Sequence, residues 1–123
     1  MKPTRETSTK AIKPQYGCPV EATLDVIGGK WKAVILFHLV PGPKRFSDLQ
    51  RLLPRITQRM LTLQLRELED DGIVHREIYK QIPPKVEYSL TDFGKTLEPL
   101  LLVMLDWGEQ YTNVIIERKS ALH

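Results

Sequence analysis

The segment from Thr57 to Gly72 constrains the fold more than any other part of the chain. Thr57 is a favourable N-cap, because its hydroxyl can accept from a first-turn N–H. Leu61, Leu65 and Leu68 recur at helical spacing and fall within one narrow arc, with Met60 and Gln64 beside it. The opposite face carries Arg59, Thr62, Leu63 and Arg66, and Gln58 projects forward from the first turn. Gly72 supplies the stop. The pattern predicts an amphipathic helix from Thr57 to Asp71.

The elements around it follow from similar signals. Pro19 and Glu21 suit the first turn of a helix that runs to Gly28-Gly29. A second helix is predicted over about Lys30–Val40, with Trp31, Val34, Ile35, His38 and Leu39 at helical spacing and Pro41-Gly42-Pro43 as its stop. Ser47 and Gln50 stand at the offset of a capping box, opening a short helix over Leu49, Leu52 and Leu53 that Pro54 closes. Beyond Gly72, the runs Ile73–Tyr79 and Lys85–Leu90 are extended, and Lys80-Gln81-Ile82-Pro83-Pro84 joins them as a hairpin tip. Thr91 caps a long last helix from Asp92, with Pro99 as a bend or a delayed start.

A short helix, a tight connection and an amphipathic second helix make a helix-turn-helix. The basic hairpin after it makes the module winged. The expected class is α+β, mostly α: a winged helix-turn-helix with a C-terminal dimerisation helix. At 123 residues one domain fits, with expected bounds of a flexible basic tail at 1–16, the domain at 17–117 and a frayed end at 118–123.

Charge adds a direction. Residues 30–66 hold eight basic residues against Asp48 alone, +7 within a chain of net charge +3. Such a block suits a polyanion. One α-helix fits the DNA major groove, where arginine pairs bidentately with guanine and glutamine with adenine. Gln58, Arg59, Thr62 and Arg66 are the candidate base readers, with Thr57, Arg45 and Ser47 beside them. Lys80 and Lys85 on the wing are candidate phosphate contacts. A winged helix also serves as a protein-interaction module, and pattern alone leaves both readings open.

The ordered run resembles the HxlR-type winged helix-turn-helix regulators of bacteria and archaea. The matching pieces are Cys-Pro-Val-Glu at 18–21, Ile-Gly-Gly-Lys-Trp-Lys at 27–32, Arg-Phe-Ser-Asp-Leu at 45–49, Ile-Thr-Gln-Arg-Met-Leu-Thr at 56–62, Leu-Arg-Glu-Leu-Glu-Asp-Asp-Gly at 65–72 and Val-Glu-Tyr-Ser-Leu-Thr at 86–91. The resemblance implies a homodimeric transcriptional regulator on an inverted-repeat DNA operator. Leu63 departs from the polar residue such regulators often carry there. Some regulators of this kind use a cysteine at the position of Cys18 to sense oxidants, quinones or aldehydes.

Cys18, the single cysteine, opens the first helix, where a thiolate is stabilised, more so beside cations such as Lys30 and Lys32. A sensor of a small electrophile or oxidant and an inert structural thiol both fit. A thiol enzyme would need a base and an orienting group, and no such constellation is visible. His38 reads as a core histidine, and no Cys/His spacing suits a metal; no cofactor is expected. The last helix carries two adjacent apolar stripes, more than one small domain covers. Leu97, Leu101, Met104, Leu105, Gly108 and Tyr111 are the candidate dimer seam. No apolar run spans a bilayer and no secretory signal is visible, so a cytoplasmic protein without membrane contact is expected.

Overall fold

A computed structural model describes residues 16–122. The elements, in chain order, are α1 (Pro19–Ile27), α2 (Lys32–Leu39), β1 (Lys44–Arg45), α3 (Phe46–Leu52), α4 (Gln58–Asp70), β2 (Val74–Tyr79), β3 (Lys85–Leu90), α5 (Asp92–Lys95) and α6 (Glu98–Leu122). This is a mostly helical winged helix-turn-helix. The helices gather around Ile35, Leu36, Leu39, Leu49, Leu61, Leu65 and Leu68, all essentially without solvent contact. No polar or charged residue is buried among the described residues.

Helix α4 forms as its caps dictate. Thr57 Oγ1 accepts from the Met60 N–H at 3.0 Å. At the other end Gly72 adopts φ +74°, where a side chain would be strained. That turn lets the Gly72 N–H reach the Glu69 carbonyl and the Ile73 N–H reach the Leu68 carbonyl, both at 2.9 Å. This doubly bonded stop is a Schellman motif, and it sends the chain straight into the wing.

The wing is an antiparallel hairpin in register from Val74↔Leu90 to Tyr79↔Lys85. Its sheet has three strands in the order β1-β3-β2, because Lys44 and Arg45 pair with Tyr88 and Glu87. That third strand corrects the start of α3. Lys44 and Arg45 are held extended, so the helix begins at Phe46 and Arg45 becomes its N-cap. The expected Ser47/Gln50 capping box does not form. Instead the Asp48 carboxylate accepts from the Arg45 N–H at 3.0 Å. This bond, with Arg51 and Arg45 nearby, holds the Asp48 carboxyl below its ordinary range.

The long last helix is two helices. Thr91 Oγ1 accepts from the Gly94 N–H at 2.9 Å and donates to the Gly72 carbonyl at 2.6 Å, so one hydroxyl caps α5 and ties it to the end of α4. Gly94 lies so close to the wing root that a Cβ would stand 2.2 Å from the Ile73 carbonyl oxygen. A helix cannot run on through Pro99, which has no N–H for the carbonyl of Lys95. The chain therefore restarts at Glu98, with Pro99 in the first turn of α6. Helix α6 continues to Leu122, through the stretch expected to fray. Of the expected N-terminal tail, residues 1–15 lie outside the described residues, as does His123. Tyr16 is described, and its hydroxyl donates to the Asp25 carboxylate of α1, which raises the phenol above its ordinary value.

Candidate nucleic-acid interface

Three leucines set the orientation of α4. With Leu61, Leu65 and Leu68 buried against the core, the helix must present its other side outward. Thr57, Gln58, Arg59, Met60, Thr62, Leu63 and Arg66 line one open concavity of about 670 Å³. Four of these are the base readers expected from sequence, and Thr57 was placed beside them. Gln58, Arg59 and Arg66 are exposed. Thr62 is half-buried, and its hydroxyl already donates to the Gln58 carbonyl at 2.9 Å. It can therefore offer DNA only its lone pairs and its methyl group. Leu63 stands outward and exposed, an apolar contact in a polar row.

The cations divide into two groups. Lys32 pairs with Glu67 at 2.8 Å and binds α2 to α4. Arg76 pairs with Glu69 at 3.3 Å and binds the wing to α4. Arg51 pairs with Asp48 in its own helix. These charges are committed within the fold. Arg45, Arg55, Arg59, Arg66 and Lys80, by contrast, are exposed and pair with no carboxylate among the described residues. They lie on α4, at the start of α3, in the turn between those helices, and at the wing tip. Sequence reasoning missed Arg55; its place two residues before the N-cap Thr57 was the available signal. Ser47 is exposed in the first turn of α3.

Lys85, unlike Lys80, stands in a pair. Its ammonium lies 3.5 Å from Glu87 and 4.6 Å from the centre of the Tyr79 ring. Side chains two apart on a strand share a face, so Glu87 stands beside the Lys85 charge. Glu87 also raises the Tyr79 phenol.

Cys18 is exposed, and it occupies the N-cap of α1 without a side-chain capping bond. The lysines expected near it have other partners: Lys32 pairs with Glu67, and the Lys30 ammonium lies 5.0 Å from the centre of the Trp31 ring. A carboxylate, Glu21, sits in the same first turn and accepts from the Gly17 N–H at 3.3 Å. His38 is half-buried, and burial, then Lys44, lowers its pKa from 6.5. No group of His, Cys, Asp or Glu could hold a metal ion among the described residues. No helix is long and apolar enough to cross a membrane among them either.

The expected dimer seam divides in two. Leu101 is 3% exposed, and Leu97 packs partly buried against the same core. Both serve their own chain. The stripe faces inward there because Ala33, Val34 and Phe37 of α2 lie across a groove of about 310 Å³ from Leu101, Met104 and Leu105. Met104, Leu105 and Tyr111 remain exposed, and Gly108 is half-buried. Trp107 is also exposed, its ring 5.1 Å from that of Tyr111.

A family model described as HxlR-like helix-turn-helix matches residues 26–116. An uncharacterized HTH-type transcriptional regulator of Bacillus subtilis (strain 168), YdeP, is 66% identical over 105 residues, 85% of this chain and 82% of that one. Among solved structures, the redox regulator HypR in its oxidized form is 69% identical, with a TM-score of 0.74 over 76% of this chain and 96% of that one. Its reduced form is 64% identical, with a TM-score of 0.77 over 81% of this chain and 99% of that one.

Proposed function

The chain belongs to the HxlR-like helix-turn-helix family, a DNA-binding transcriptional regulator by that membership, and from this premise we propose that it reads an inverted-repeat operator as a homodimer. The observation that carries the reading is the outer face of α4. Arg59 and Arg66 stand exposed with no carboxylate partner among the described residues, beside Gln58, on a helix whose opposite side is fixed by three buried leucines. In the major groove, Gln58 and Arg59 in the first turn reach base edges, while Arg45, Arg55 and Lys80 meet phosphates and fix the register. The exposed row Met104, Leu105, Trp107 and Tyr111 on α6 is the surface that a second copy covers. Two linked recognition helices then address half-sites roughly 34 Å apart. The working compartment is the cytoplasm, where the operator lies.

The finer reading concerns regulation by a small oxidant or electrophile. Its support is that similar solved structures are of a redox regulator and that Cys18 is exposed at the start of α1. As the chain's single cysteine, Cys18 can form a disulfide only with a second chain or a small thiol. The testing experiment is selection of bound duplexes from a random pool, followed by binding of the recovered sites before and after diamide. Recovery of a two-fold symmetric site supports the dimeric reader, and recovery of none at low salt removes it. A diamide response lost in Cys18→Ser supports sensing, and equal responses in both proteins remove it.

A further inference from the structure

The wing tip has the wrong chemistry for a phosphate clamp alone. Ile82 is 100% exposed, more than any other large apolar residue described. Pro83 and Pro84 follow it, so the two positions after Ile82 have no backbone N–H to donate. The tip thus pairs an apolar point with a basic shoulder: Lys80 stands beside it with no carboxylate partner among the described residues. A hairpin tip meant only to grip phosphates gains nothing from an isoleucine held in water, since apolar surface is favoured where water is excluded.

The geometry also places that point. The ladder stays paired from Val74↔Leu90 out to Tyr79↔Lys85. Five strand steps carry the chain roughly 17 Å from the buried wing root. The Arg76–Glu69 pair at 3.3 Å holds the hairpin against the C-terminal part of α4. With α4 in a major groove about 12 Å wide, an arm of that length is long enough to reach over the adjoining phosphate ridge, beyond which lies the minor groove. The minor groove offers few distinguishing partners, so a tip poor in donors forfeits little there. Apolar side chains such as isoleucine and proline enter it by wedging between base steps.

We propose that Ile82 is an apolar wedge that enters the minor groove beside each half-site and partly unstacks one base pair step. The proposal rests on the reading of this chain as an operator-binding regulator. It makes Ile82 a determinant of sequence at a position that makes no hydrogen bond. Pyrimidine–purine steps unstack most easily, so a TA or CA/TG step is preferred at a fixed distance from each half-site.

The experiment uses duplexes recovered from a random pool by the full chain, with 2-aminopurine placed at successive flanking steps. The wild type should raise 2-aminopurine fluorescence at one step per half-site. Ile82→Ser should abolish that rise and Ile82→Leu should restore it. Because Ile82 is fully exposed, neither change disturbs the core. On sites with a TA flank Ile82→Ser should bind ~5-fold or more weakly, with little change on a stiff flank. No rise with the wild type, or an equal rise with Ile82→Ser, overturns the wedge while the chain still binds DNA. Failure of the wild type to recover any duplex at low salt is a different result, and it removes the operator reading itself.

Discussion

The split within α6 makes opposite forecasts for two residues one helical turn apart. Leu101 is 3% exposed and Met104 is 44% exposed. Leu101→Ala removes core packing against α2, and Leu→Ala in such sites costs about 2–5 kcal/mol of folding stability. Met104 lies on the exposed row of α6 that the proposed dimer covers. Full burial of a methionine is worth ~1.5–3 kcal/mol, so covering its exposed part contributes about 1 kcal/mol. A two-fold axis counts the residue twice, which gives ~2 kcal/mol for Met104→Ala, or roughly 30-fold in the dimer dissociation constant. Met104→Glu should be more severe, because it places charges in an apolar contact. Sedimentation velocity reads the association, and urea unfolding monitored by circular dichroism reads the fold. Met104→Ala should dissociate on dilution with a monomer fold intact, whereas Leu101→Ala should lower the unfolding midpoint. Wild-type protein that sediments as a monomer at micromolar concentration, or Met104→Glu that remains dimeric, would refute the assignment of this face.

Arg59→Ala should cost ~1–3 kcal/mol on the selected site and relax the preference at one base pair, whereas Lys80→Ala should weaken all duplexes alike and reduce the salt slope by about one; equal losses of Arg59→Ala on selected and random DNA would count against base reading. Gly94→Ala forces a Cβ to within 2.2 Å of the Ile73 carbonyl oxygen, and overpacking of this kind costs about 1–3 kcal/mol; an unchanged urea midpoint would show that the wing root yields freely. His38 holds its proton less tightly in the folded protein than its ordinary 6.5, chiefly through burial, so the stability tied to its neutral ring is full above that value and declines as pH falls through it towards the folded pKa. His38→Asn should flatten that decline in urea midpoints, and an identical pH slope in the variant would exclude His38 as its source.

Local signals carried most of this architecture. The α4 helix was legible from Thr57, the leucine arc and Gly72 because cap, stripe and stop all act within a few residues. Strand β3 was legible because its alternation is local too. What escaped depends on partners distant in sequence. Two residues, Lys44 and Arg45, are too few to show a strand pattern; they are a strand only because β3 lies beside them. The start of α3 moved for the same reason. The break before α6 was legible from Pro99, which cannot continue a helix, whereas the close seat of Gly94 on Ile73 was not. Leu97 and Leu101 could be assigned to an apolar stripe, but periodicity cannot say whether the neighbour is α2 or another chain. The pairing of Lys85 with Glu87 was readable, since residues two apart on a strand face the same way. The uncommitted state of Arg59 and Arg66 was not, because it depends on where every carboxylate lies.

The way α4 is held has a consequence for how such a protein can diverge. Its grip on the molecule comes from Leu61, Leu65 and Leu68, and none of Gln58, Arg59, Leu63 or Arg66 belongs to the buried core. Substitutions at exposed positions of this sort usually change stability by no more than about 0.5 kcal/mol, against a total commonly near 5–15 kcal/mol. The outward residues are therefore free to drift after gene duplication while the inward ones are not. If α4 reads bases as proposed, one scaffold can be readdressed to a new stretch of genome through a handful of codons, with its folding left as it was.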